Sequence, residues 1–155
     1  MLSYILASII AYLGLVAGIM IIHFAKEEQK AGMPYFLLFQ NLLVSISVSF
    51  LVFFLGWNIF INISLTFLSL LVLFLIKPIT KSYYIYPLLG LFLFLAYDSP
   101  SYLAIQASLI FLLGLPTSAL LYNQKDTKKS IFRILVFHLG FFILALIPLI
   151  FKVIS

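Results

Sequence analysis

The amino-acid sequence predicts an all-α polytopic membrane protein, a bundle of six transmembrane helices forming one domain over residues 1–155. Three observations carry that expectation. Hydrophobic residues are 65% of the chain and charged residues 8%, against about 25% charged in soluble domains. The apolar residues fall into runs near the roughly 20 residues that a helix needs to cross a bilayer. Eight of the nine basic residues gather in three short clusters between those runs: Lys26 and Lys30, Lys77 and Lys81, then Lys125, Lys128, Lys129 and Arg133. The runs are expected to be helices, because a lone strand leaves its backbone unpaired in hydrocarbon. A strand-like alternation occurs at Ser45-Ile46-Ser47-Val48-Ser49, but a barrel would need it along the whole chain.

The first span is expected from about Leu2 to Ala25, stopping at Lys26-Glu27-Glu28. Nothing basic precedes it, which argues against a signal peptide and for a permanent span. The second is expected from about Pro34 to Leu55, with Pro34 in a first helical turn. Gly56-Trp57-Asn58 then makes a tight reversal, with Trp57 at the interface. The third span is expected over about Ile59–Ile76. The fourth, about Thr80–Tyr97, is short and carries Pro87 and Gly90. Asp98 or Ser99 is placed to cap a fifth span beginning at Pro100 and ending near Leu121. The sixth runs from about Ile131 to Phe151, after the polar connection Tyr122–Ser130.

Charge decides whether the fourth segment crosses. With six crossings, the connections after spans one, three and five share a side and hold eight basic residues, leaving Lys152 and Asp98 opposite. Without the fourth crossing the basic residues divide five against four. The positive-inside rule therefore favours six crossings in the cell membrane, with both termini outside the cytoplasm. The lysines at the span ends are suited to anionic headgroups at the cytoplasmic face, so the lipid bilayer, not nucleic acid, is the partner expected for a net charge of +5.

Small residues recur at helical spacing in span one. Ala7, Ala11, Gly14 and Gly18 form a candidate helix-packing face, for intramolecular packing or for a second copy or another membrane subunit. Asn41, Ser45 and Ser49 share one face of span two; Asn58, Asn62, Thr66 and Ser69 form a stripe in span three. Deep polar residues are few. His138 lies about 12 Å into span six at 1.5 Å per residue. Gln40 and Asn41 reach a comparable depth, as do Thr117 and Ser118 beside Pro116, so these five are the candidate lining of a small polar cavity. Gln106, Asn62, Tyr97 and Asp98 are candidates for a cluster at the outer mouth. Tyr83, Tyr84 and Tyr86 read as an aromatic belt at the inner boundary.

Each inner connection holds a Lys-x-x-x-Lys pair, and Tyr35 with Leu37-Leu38 matches Tyr86 with Leu88-Leu89. Topology alone asks for lysine there, so the spacing does not establish a triplicated hairpin. Catalysis is not expected. Both glutamates and Asp126 fall in inner connections and Asp98 on the far side, so His138 has no carboxylate at its depth. Cysteine is absent and two histidines on separate spans make no ligand set, so neither a metal nor a cofactor is expected. Helices broken at Pro87, Gly90, Gly114 and Pro116 lean toward a transporter or channel-like role for a small or neutral solute. The alternative is a non-catalytic subunit or assembly partner of a larger membrane complex.

Around the first connection, Leu13-Gly14 through Gly18, Ala25-Lys26-Glu27-Glu28, Gly32 and Tyr35-Phe36 resemble small uncharacterised archaeal multi-pass membrane proteins. The resemblance covers about the first quarter of the chain. It implies an archaeal membrane location and brings no activity or binding residue with it.

Overall fold

Apolar helix formers and backbone self-sufficiency give six helices, seen in a computed structural model that describes residues 2–75 and 78–146, with the backbone alone described for residues 78–82. Ile76, Lys77 and residues 147–155, including the end of the expected sixth span and Lys152, lie outside the described residues. The helices are α1 Leu2–Phe24, α2 Glu28–Phe54, α3 Ile59–Leu75, α4 Pro78–Leu95, α5 Pro100–Leu121 and α6 Thr127–His138. No strand occurs among the described residues. Four stretches are long and apolar enough to cross a bilayer: α1, α2, α5 and the run Thr127–Leu146. Ile59–Leu75 and Tyr83–Leu95 are shorter apolar helices.

Three boundaries differ from the sequence expectation. α2 begins at Glu28, so Pro34 lies inside the helix rather than at its start. Glu28, Gln29 and Lys30 are good helix formers, and Pro34 frees only the Lys30 carbonyl, near the water-facing end. α4 closes at Leu95, and Ala96, Tyr97 and Asp98 form the turn into α5. α6 begins at Thr127, four residues before Ile131.

The α2–α3 reversal follows from local chemistry. Gly56 adopts φ +73°, a left-handed conformation that glycine takes without strain. The Gly56 N–H donates to the Phe53 carbonyl at 3.0 Å and the Trp57 N–H to Val52 at 3.4 Å, closing α2 with a Schellman pair. Asn58 then caps α3, its Oδ1 accepting from the Phe60 N–H at 3.2 Å. Ser99 is the N-cap of α5 with Pro100 following, although its side chain makes no capping bond.

The helices pack in alternating directions around α5, which touches α1, α2, α4 and α6. α1 and α5 run parallel, Gly14 facing Phe111 and Gly114, and Gly18 facing Leu115 and Ser118. Their backbones lie so close that a Cβ on Gly14 would collide with the Phe111 carbonyl, and one on Gly18 would sit 2.8 Å from the Leu115 Cα. Small residues permit such approach, and dispersion between the backbones then holds the pair. α3 lies outermost and packs on α2.

Tyrosine hydroxyls fasten the remaining helices. Tyr4 Oη donates to the Ala145 carbonyl at 2.9 Å, Tyr12 Oη to Leu135 at 2.7 Å and Tyr86 Oη to Ala11 at 2.9 Å. Tyr86 is therefore no belt residue. It is 0% exposed and reaches the middle of α1, because eight residues of helix carry it about 12 Å beyond Pro78. Tyr84, on the same helix, is 70% exposed and Tyr83 packs against Phe137, ring centroids 5.3 Å apart.

Candidate functional site

The five deep polar side chains are each 0–1% exposed. Gln40, in the middle of α2, donates from Nε2 to Thr117 Oγ1 at 3.0 Å, and Thr117 Oγ1 donates in turn to the Leu113 carbonyl at 2.7 Å. The i−4 bond takes up the threonine proton, leaving its lone pair for Gln40. Ser118, one residue on, points a different way and donates to the Leu15 carbonyl on α1 at 2.8 Å. Asn41 is buried on α2.

His138 lies apart from these, against α4. Its Nδ1 meets the Ile134 carbonyl at 2.6 Å. A carbonyl only accepts, so Nδ1 carries a proton. The Tyr86 ring stands edge-on at 5.2 Å and the Tyr83 ring lies at 6.0 Å. Directly after His138 the helix is interrupted. The Leu139 N–H bonds back to Val136 at 3.2 Å, so the Leu135 carbonyl is released to Tyr12. Gly140 sits opposite Pro87, where a Cβ would come 3.4 Å from the Pro87 ring. The expected lining thus resolves into a Gln40–Thr117 contact between α2 and α5, a Ser118 bond to α1 and a histidine packed on tyrosines.

Of the expected packing face, Ala11, Gly14 and Gly18 are buried within the chain, while Ala7 is partly buried near the start of α1. The polar stripes of spans two and three meet. Ser49 Oγ donates to Asn62 Oδ1 at 2.9 Å, Ser69 Oγ to Ser45 Oγ at 3.2 Å, and Thr66 Oγ1 to the Asn62 carbonyl at 2.7 Å. The expected outer cluster is divided among three places. Asn62 belongs to the α2–α3 seam, Gln106 lines a narrow gap with Phe50 and Tyr102, and Tyr97 and Asp98 line a cavity of about 380 Å³ with Tyr4 and Pro100.

The opposite end holds a polar knot that sequence reasoning missed. Gln29, 4% exposed, donates from Nε2 to the Ala119 and Tyr122 carbonyls at 2.8 and 2.7 Å. It thereby satisfies carbonyls that the end of α5 leaves over. Gln124 Nε2 donates to Gln29 Oε1 at 2.9 Å and to the Lys26 carbonyl. His23 Nδ1 lies 2.8 Å from Tyr122 Oη. The signal available was slight: Gln29 is the uncharged polar residue between Glu28 and Lys30, a place where a charged face is the ordinary reading. A cavity of about 450 Å³ opens beside the knot, with Lys30, Lys125 and Arg133 among its lining residues.

Among the described residues no three His, Asp or Glu side chains group as metal ligands. Comparisons with family models, with curated proteins and with solved structures each returned no match.

Proposed function

We propose that this chain is an integral membrane protein of six crossings whose deep polar residues fasten its own helices, and that it serves as a non-catalytic component of the membrane, engaging ligands or partners at its ends rather than conducting a solute through its middle. One observation carries this reading: Gln40, Asn41, Thr117, Ser118 and His138 are closed to solvent, and Gln40 and Ser118 bond to neighbouring helices. The lengths of α3 and α4 fit crossings, since 17 and 18 residues extend about 26–27 Å, close to the hydrocarbon thickness of a thin bilayer. The first and third basic clusters lie at one end of the bundle, joined through Gln124 and Lys26. Tyr83, near the start of α4, lines the same cavity. The positive-inside rule assigns that end to the cytoplasm and both termini to the other side.

Cysteine accessibility tests this reading, because the native chain carries no background thiol. Single cysteines at positions 40, 41 and 138 should resist a water-soluble maleimide in membranes, while one at Lys128 should react. Labelling at the three deep positions at the rate of Lys128→Cys would contradict it. A second reading has one observation in its favour. The interruption of α6 at Leu139, opposite Pro87, is the kind of broken helix that carriers use. A carrier with its path closed would label at position 138 once its solute gradient is applied.

A further inference from the structure

We infer that the cavity beside the Gln29–Gln124 knot is a binding site for a phosphate-bearing anion, with the headgroup of an anionic phospholipid as the fitting source. The inference rests on the reading above that these helices cross a bilayer. Three cations from three elements converge on one cavity of about 450 Å³: Lys30 from the first turn of α2, Lys125 from the α5–α6 connection and Arg133 from α6. Among the described residues no carboxylate lines it. Asp126 lines the adjoining cavity of about 180 Å³ instead, together with Lys129 and Arg133.

Repulsion among the three cations in an empty site is relieved by a ligand of opposite charge, and a guanidinium with two ammonium groups suits the several oxygens of a phosphate. Gln124 and Asn123, also in the lining, add neutral polar groups. Apolar Met33, Leu120 and Leu121 belong to the lining as well. Cations and apolar side chains sharing one cavity at a helix end match the boundary where a phospholipid passes from headgroup to acyl chain.

The site is also preorganised. The α5–α6 connection is fixed by the Asn123 N–H donating to Ser130 Oγ at 2.8 Å and the Lys125 N–H donating to Asn123 Oδ1 at 3.0 Å. The carbonyl end of α5, which would repel an anion, has its Ala119 and Tyr122 oxygens covered by Gln29. α2 and α6 both begin at this end, presenting the favourable pole of each helix.

The test uses the full chain, purified in detergent, depleted of native lipid and titrated with phosphatidylglycerol, with phosphatidylcholine and with inorganic phosphate, bound lipid being counted by native mass spectrometry. K125Q/R133Q removes two cavity cations. K26Q/K128Q removes the same charge from positions outside the cavity lining. Each basic group at an anionic surface contributes about a fivefold change, so K125Q/R133Q should weaken phosphatidylglycerol binding about twenty-fivefold, while K26Q/K128Q, outside the cavity, stays within about threefold of the native protein. Selective loss for phosphatidylglycerol assigns the phosphate to a lipid; the same selective loss for inorganic phosphate alone assigns it to a soluble source. Equal loss in both double variants, or no preference for phosphatidylglycerol over phosphatidylcholine together with no phosphate binding, overturns the inference. Resistance to alkaline carbonate extraction, measured on the same three proteins, tells failure of the site apart from failure of the membrane reading.

Discussion

An added Cβ at Gly14 meets the Phe111 carbonyl, and one at Gly114 comes 2.5 Å from the Leu15 nitrogen. Neither obstacle is a side-chain tip that can swing away, so the helices themselves must part. Gly14→Ala is expected to destabilise the fold by about 1–3 kcal/mol, the usual cost of overpacking, read as a lower unfolding temperature in detergent with helix content retained. An unchanged transition would mean that α1 and α5 do not meet there. Tyr86 supplies a second residue-scale test. Tyr86→Phe keeps the packed ring and removes the bond to Ala11, for a loss of about 0.6–2 kcal/mol, whereas Tyr84→Phe at an exposed position should leave the unfolding temperature unchanged. Spacing made a close approach at the glycines legible, but not its partner, since the same spacing serves a second copy or another subunit as well as α5. The inward turn of Tyr86 was less so. Tyrosine near a span end ordinarily anchors an interface, and only counting helical rise from the true start at Pro78 carries it to the depth of Ala11.

At the scale of elements, α3 is the helix least buried against the rest of the chain. Its buried residues are Asn62 and Leu73, and its bonds to α2 run through Ser49–Asn62 and Ser45–Ser69. On the six-crossing proposal this helix lies in hydrocarbon, where no hydrophobic drive brings it in, so hydrogen bonds and side-chain packing must hold it. Asn62→Leu is expected to loosen α3 selectively. Backbone amides of residues 59–75 should exchange with deuterium faster in detergent, while those of α1 and α5 remain protected. Uniform acceleration through all helices would refute a locally held α3. The matching stripes were readable in the sequence, since residues four apart share a face. The interruption at Leu139 was not, because it arises where the Leu135 carbonyl is taken by Tyr12 from another helix, a partner that no local pattern encodes. Tyr35 and Tyr86, matched only by spacing, sit in different surroundings, one 73% exposed and the other 0%.

For the whole molecule, the helical class was legible before any geometry was known: 8% charge pointed to a membrane protein, and apolar runs of span length without strand alternation along the chain pointed to helices. The location of the candidate site was only partly legible. Depth along each span is a one-dimensional count, and it named the polar residues without their partners. Direction around each helix is set by neighbours, so Gln40 and Thr117 came together while Ser118 turned to α1 and His138 to α4. The basic end has the opposite history: its lysines were plain in the sequence, and the glutamine knot that gathers them was hidden.

Sided labelling of single cysteines tests six crossings most directly. With cysteine at Glu27, Trp57, Ser101 or Lys128 in otherwise native protein, a membrane-impermeant maleimide should modify positions 57 and 101 in intact cells. Positions 27 and 128 should react only after the membrane is opened. Protection of Ser101→Cys in intact cells, or labelling of Lys128→Cys there, would mean that the chain does not cross in the order its charges prescribe.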